Sequence, residues 1–168
     1  YDFNQENYPV IISEYSPNGS LFNIIELEKQ HLAPENWTFT KKLICIYGIA
    51  AGMSYLHSQK VLHRDLKTLN ILLDDKFYPE IADFGFSKII HSNLNSFSIQ
   101  SERELKGTPN YISPEIWIDF SYSTSSDVYA FGMILYEMIV KKFPFEGLPY
   151  IQIMQSVTRN ERPDIPSN

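Results

Sequence analysis

Residues 125–140 are apolar on nearly every side, and no other stretch constrains the fold as strongly. A helix that is hydrophobic all round belongs in the middle of a core, so the rest of the chain must wrap around it. Its most apolar part, residues 131–140, is too short to span a bilayer and carries Glu137. The chain has 168 residues, 43% hydrophobic and 20% charged, which is enough to bury such a core and argues against disorder.

The remaining pattern reads as short strands and helices. Residues 9–13, Pro-Val-Ile-Ile-Ser, predict a buried strand. A turn follows at Ser16-Pro-Asn-Gly. Ser20 is placed to cap a helix through Leu21, Ile24, Ile25 and Leu27, and residues 29–37 read as a loop. Thr38 opens the first long helix, where Phe39, Leu43, Ile46, Ala50 and Met53 fall on one predicted core face. Residues 61–62 and 71–73 are apolar runs around a polar loop, and 78–82 form another short strand. Residues 83–108 read as a long loop, a class that is usually functional or mobile. Pro149 suits the first turn of a last helix, 149–158.

Charge and cysteine content narrow the function. Lys and Arg number 14 against 20 Asp and Glu, a net charge of −6. That excludes a nucleic-acid or anionic-membrane binder working through bulk charge. One cysteine, Cys45, excludes an intramolecular disulfide and a thiolate zinc cluster and points to a reducing compartment. The chain opens on Tyr1 with no leader-like segment and reads as cut from something longer.

The densest polar cluster is residues 63–70, His-Arg-Asp-Leu-Lys-Thr-Leu-Asn, held between two apolar runs. Asp65 offers a carboxylate that can take a proton, and Lys67 a compact positive charge. Asn70 offers an amide oxygen suited to a hard cation. A polar hairpin loop is the plainer reading of any one of these residues. Thirteen residues beyond Asn70 stands Asp83-Phe-Gly85, whose carboxylate follows a strand. Alone, that triplet is most often a β-turn. At this spacing Asp83 and Asn70 can share a divalent metal.

These motifs resemble the larger lobe of a eukaryotic protein kinase. His63-Arg64-Asp65 with Asn70 is similar to the catalytic loop, and Asp83-Phe84-Gly85 to the metal-binding triplet. Gly107-Thr108-Pro109 and Ser113-Pro114-Glu115 resemble the end of the activation segment, and residues 127–132 the central helix. The resemblance runs along essentially the whole chain. It implies an α+β kinase fold of which this chain is the mainly α part. Residues 1–13 would hold the last small-lobe strand, 14–19 the hinge, and 20–168 the large lobe with short β-ribbons and an activation segment at 83–115. It also implies a fragment incomplete at both ends. The Gly-rich loop, the strand lysine with its partnering glutamate, and the final helices are absent from the sequence.

The residue roles follow from the resemblance. Asp65 would accept or orient the substrate hydroxyl, and Lys67 would stabilise the transferring phosphate. Thr108 belongs with them as the Gly-Thr-Pro threonine. Asn70 and Asp83 would bind Mg²⁺, or Mn²⁺, bridging the ATP phosphates. Ser13 stands in the gatekeeper position, Glu14 and Ser16 would meet adenine through backbone groups, Ser20 the ribose, and Leu72 the underside of adenine. Arg64, with Lys88, would pair with a phosphorylated residue among Ser92, Ser96, Ser98 and Ser101. His63 and Phe84 would stack, Gly85 would add flexibility, and Asp127 would hold the loop backbone. Glu115 would await an arginine from the final helices, a role not given to Arg162. Ser113 replaces the usual alanine.

Lys67 and Thr108 resemble serine/threonine kinases, and the wider context the tyrosine-kinase-like group of them. The implied partners are protein substrates and a small lobe in the same parent chain, with no nucleic acid and no membrane segment. The implied location is cytoplasmic. Two functions follow, an active kinase domain or a non-catalytic pseudokinase or orphan-lobe interaction module.

Overall fold

The computed structural model describes residues 2–3, 9–10, 12–90 and 105–166. Five α-helices and six short strands follow one another in these segments. The strands form three antiparallel two-stranded ribbons. β1 (Asp2–Phe3) pairs with β2 (Pro9–Val10), β3 (Val61–Leu62) with β6 (Lys88–Ile89), and β4 (Ile71–Leu73) with β5 (Pro79–Ile81). The expected mainly helical chain with short ribbons is what is found.

Local chemistry sets the helix starts. α1 spans Leu21–Lys29, and the Ser20 hydroxyl accepts the Asn23 N–H at 3.3 Å. α2 spans Phe39–Ser58, and the Thr38 hydroxyl accepts the Lys41 N–H at 3.3 Å. Each cap satisfies one of the donors that a helix start leaves open. α3 (Pro114–Asp119), α4 (Thr124–Val140) and α5 (Tyr150–Thr158) follow. Pro149 stands one position earlier than expected, at the N-cap of α5.

Two expectations about buried faces are corrected. On α2 the buried residues are Cys45, Ile49 and Met53, whereas Phe39 is 73% exposed, Leu43 49% exposed, and Ala50 also faces out. α2 is apolar enough to offer several stripes, and the partner chooses among them. Gly48 and Gly52 lie against Pro79 and Ile81, so the face bearing the glycines meets the β4–β5 ribbon. α4 buries Ala130, Met133, Ile134 and Met138, but Val128 is 61% and Ile139 70% exposed. Among the described residues, α2 and the 3₁₀ turn Pro109–Tyr111 pack on part of α4, leaving these positions uncovered.

Two strand expectations also change. Among the described residues, Pro9–Val10 pairs as a strand, while Ile12, 81% exposed, and Ser13 lie outside it, so the expected buried strand does not run on to Ser13. The long loop from Asp83 contains a 3₁₀ turn, Phe84–Phe86, and then β6, because Leu62 and Lys88 are brought into register.

The main core gathers Leu21, Ile24, Cys45, Ile49, Leu73 and Ile134 around α2 and α4. Burial without a charged neighbour raises the Cys45 thiol to about 12, so it stays neutral. Glu28 fastens the rim of this core. Its carboxylate receives Lys42 from α2, Lys141 past the end of α4 at 2.7 Å, and the Trp37 indole N–H at 3.3 Å. Burial raises the Glu28 carboxyl, but hydrogen bonds from Lys141 and Lys42 outweigh it and hold the pKa below the usual value.

Candidate active site

The polar loop between β3 and β4 is held by buried anchors. His63 is fully buried. Its Nε2 lies 3.0 Å from the Ala82 carbonyl, so that nitrogen carries the proton and Nδ1 accepts the Asp65 N–H at 3.4 Å. The ring packs against Phe84 with centroids 5.3 Å apart, yet Phe84 itself is 47% exposed. Asp127 reaches in from the first turn of α4. Its two oxygens accept the N–H groups of His63 and Arg64, each at 3.0 Å, and Oδ2 also receives His57 Nε2 at 2.9 Å. Arg64 adopts φ 68°, a strained left-handed conformation that these bonds stabilise.

The loop so fixed brings four expected residues together. Asp65 is 5% exposed. Lys67 Nζ donates to its Oδ2 at 2.7 Å, and the Thr108 hydroxyl donates to its Oδ1 at 2.9 Å. Lys67 Nζ also donates to Thr108 Oγ1 at 2.9 Å, closing a triangle of ammonium, hydroxyl and carboxylate. Asn70 Nδ2 donates to the Asp65 carbonyl at 2.8 Å and to Oδ2 at 3.2 Å. Both amide hydrogens are thus used, and the amide oxygen is left for a cation. Gly107 makes the approach possible. At φ +111° a Cβ there would sit 2.8 Å from the Arg64 carbonyl oxygen.

Asp83 lies where β5 leaves β4, beside Asn70 in the ladder, because the Ala82 N–H donates to the Asn70 carbonyl at 2.9 Å. It too is left-handed, at φ 61°, and its Oδ1 accepts the Gly85 N–H at 3.2 Å. The residue is exposed. Asn70 and Asp83 offer hard oxygen donors, and no group of three His, Cys, Asp or Glu able to hold a metal occurs among the described residues. One carboxylate and one amide suit a hard divalent cation that completes its shell with oxygens from outside the chain.

The hinge candidates differ in what holds them. The backbone of Asn18 and Gly19 pairs with Leu73, and Ser20 bridges to Leu72. Ser16 Oγ donates to Glu80 at 2.6 Å. Ser13 and Glu14 are exposed, outside any helix or strand. Arg64 Nε donates to the Phe86 carbonyl at 2.5 Å, and its guanidinium lies 5.3 Å from the Tyr122 ring centroid. Lys88 sits in β6 opposite Leu62. Ser92, Ser96, Ser98 and Ser101 lie outside the described residues. Glu115 accepts the Ser126 hydroxyl at 2.9 Å, while Arg162 lies 5.2 Å from the Tyr129 ring.

Sequence reasoning passed over Thr68, Tyr111 and Glu137. Glu137 is 2% exposed, and its carboxylate accepts from Thr68 at 3.0 and 3.1 Å and from the Tyr111 hydroxyl. Burial raises its pKa against the lowering effect of those two hydroxyls. A lone acid inside an apolar helix was the available signal, since a buried carboxylate needs donors.

The model of the protein kinase domain matches residues 1–166. The chain belongs to the protein kinase domain family. A probable serine/threonine-protein kinase of Dictyostelium discoideum is 40% identical over 93% of this chain. An RGS domain-containing serine/threonine-protein kinase of the same organism is 34% identical over 94% of it. A probable L-type lectin-domain containing receptor kinase of Arabidopsis thaliana is 33% identical over 80% of it. This kinase domain sequence spans only 16%, 13% and 21% of those three proteins. Kinases of this family use ATP and a divalent metal. No helix among the described residues is long and apolar enough to cross a membrane.

Proposed function

We propose that this domain, joined to an ATP-binding small lobe, transfers the ATP γ-phosphate to serine and threonine hydroxyls of protein substrates. The Asp65–Lys67–Thr108 triangle carries the reading, with an acceptor for the hydroxyl proton beside a cation for the moving phosphate. Asp65 takes that proton, and Lys67 offsets the charge that grows on the transferred group. Asn70 and Asp83 hold Mg²⁺, or Mn²⁺ in its place. The bound metal–nucleotide supplies the electrophilic phosphorus and neutralises phosphate charge.

In this reading, residues 1–13 supply the last small-lobe strand, 14–19 the hinge, and 20–168 the large lobe. Ser13 is the gatekeeper, Glu14 and Ser16 meet adenine through their backbone, and Leu72 underlies it. A ribose contact from Ser20 competes with its capping of α1. Arg64 and Lys88 answer a phosphate placed on Ser92, Ser96, Ser98 or Ser101. Lys67 and Thr108 support serine/threonine specificity, as do the names of the relatives, and the wider motif context supports the tyrosine-kinase-like group. The single cysteine supports an intracellular site of action.

The test is phosphate transfer to a generic protein substrate by the intact protein, before and after Asp83→Ala. Transfer is expected to fall to background. Retained activity in the variant would remove the metal assignment, and an inactive wild type that still binds partners would leave the interaction-module reading in place.

A further inference from the structure

Apart from the Asp65 loop, the chain beyond α4 encloses a cavity of about 370 Å³, within the range of roughly 300–1,000 Å³ that ligand sites occupy. The connection between α4 and α5 lines it, together with residues 161–164 beyond α5 and Tyr136 of α4. Phe143, Phe145 and Leu148 supply the apolar surface, and Phe145 is buried. Aromatic faces of this kind hold a cation as readily as an alkyl chain.

The charged groups in the lining are mostly acidic. Glu146 and Asp164 approach the Tyr136 hydroxyl from two different segments. Burial raises the pKa of that hydroxyl, and the charges of Asp164 and Glu146 raise it further. The hydroxyl itself donates to the Asp164 carbonyl at 3.3 Å. Glu161 adds a third carboxylate. Arg162 is engaged elsewhere, with its guanidinium 5.2 Å from the Tyr129 ring centroid and its Nη1 donating to the Glu161 carbonyl at 2.7 Å. Lys142 is exposed and opposes the acids. The cavity is also joined to the Asp65 site. Asn110 Nδ2 donates to the Pro144 carbonyl at 2.6 Å, so the connection that lines the cavity is bonded to the segment that carries Thr108.

We propose that this cavity is a docking subsite for an arginine side chain of the protein substrate, away from the hydroxyl that receives the phosphate. The proposal rests on the kinase reading above and names a feature that its substrates share. The alkyl stem of the arginine lies on Phe143 and Phe145, and its planar guanidinium meets Glu146 and Asp164. The net charge of −6 attracts any basic segment, whereas the cavity selects where along the segment the arginine stands.

The test steps one arginine along an otherwise neutral serine peptide and uses the intact protein. Kd is read by fluorescence anisotropy on the forms with alanine in place of serine, and KM on the serine forms. One register is expected to bind about fivefold or more tighter than the peptide with glutamine for arginine, and to lower KM in step. Glu146→Gln combined with Asp164→Asn should remove that advantage, and Lys142→Met should enlarge it. Equal binding in all registers would overturn the subsite, as would an advantage that survives the double variant. A preferred register in Kd with no matching change in KM would overturn the assignment to substrate. If the wild type transfers no phosphate, the anisotropy series still decides whether the cavity takes arginine, and the activity reading falls separately.

Discussion

Asp127 Oδ2 accepts the backbone N–H of His63 at 3.0 Å, across 64 residues of sequence. Its other oxygen holds Arg64, and His57 completes the set. Asp127→Ala leaves two loop N–H groups without an acceptor. The expected loss of unfolding free energy is about 1–3 kcal/mol for each orphaned group. Denaturant titration measures it, and a total loss below about 1 kcal/mol would contradict the anchoring role.

The glycines of α2 make unequal demands. A Cβ on Gly48 would lie 2.5 Å from Pro79 Cγ, whereas one on Gly52 would lie 2.8 Å from Ile81 Cδ1. A proline ring cannot swing aside, but the end of an isoleucine can. Gly48→Ala should therefore cost about 1–3 kcal/mol by overpacking. Gly52→Ala should come near neutral, because alanine returns about 1 kcal/mol of helix propensity. Thermal melting ranks the two, and equal losses would contradict the difference drawn between the proline ring and the isoleucine end.

Glu28 and Glu137 should respond to pH in opposite senses. The folded pKa of Glu28 lies below its ordinary 4.5, so its contribution is present above that value and lost as pH falls through the folded pKa. The folded pKa of Glu137 lies above 4.5, so its contribution is fully present below 4.5 and lost as pH rises through the folded pKa. Glu28→Gln should remove about 1–2 kcal/mol near neutral pH, after screening of the exposed lysines, and almost nothing in strong acid. Stability measured from acid to neutral pH in Glu28→Gln and wild type tests this, and parallel curves would refute it.

Ser113 offers a gain. It occupies the N-cap of α3 and is fully buried, yet its hydroxyl has no hydrogen-bond partner among the described residues. Removing an unsatisfied buried hydroxyl should raise stability by roughly 1 kcal/mol, so Ser113→Ala should melt higher than wild type. A lower melting temperature would mean that the hydroxyl is in use.

The two candidate motifs were legible because their chemistry is local. Residues 63–70 place a carboxylate, an ammonium and an amide within one loop, and Asp83 follows one ribbon later. Helix starts at Ser20 and Thr38 were legible for the same reason, since a cap needs only three residues. The face of α2 was not. Phe39 and Leu43 satisfy helical periodicity as well as Cys45 and Ile49 do, and the β4–β5 ribbon selects between them. The two α2 glycines marked the packing face, although periodicity alone does not weigh them.

The sequence by itself determined the donors, acceptors and caps this chain carries, because those depend on residue type and near neighbours. Tertiary structure alone decided which of them meet. Asp127 and Glu137 lie on one helix far along the chain from the loop they hold, and only the packing of α4 beneath that loop brings them within hydrogen-bond reach. Short-range interactions are specified by adjacent residues, whereas a bond across more than sixty residues exists only after a rigid core has set both ends in place.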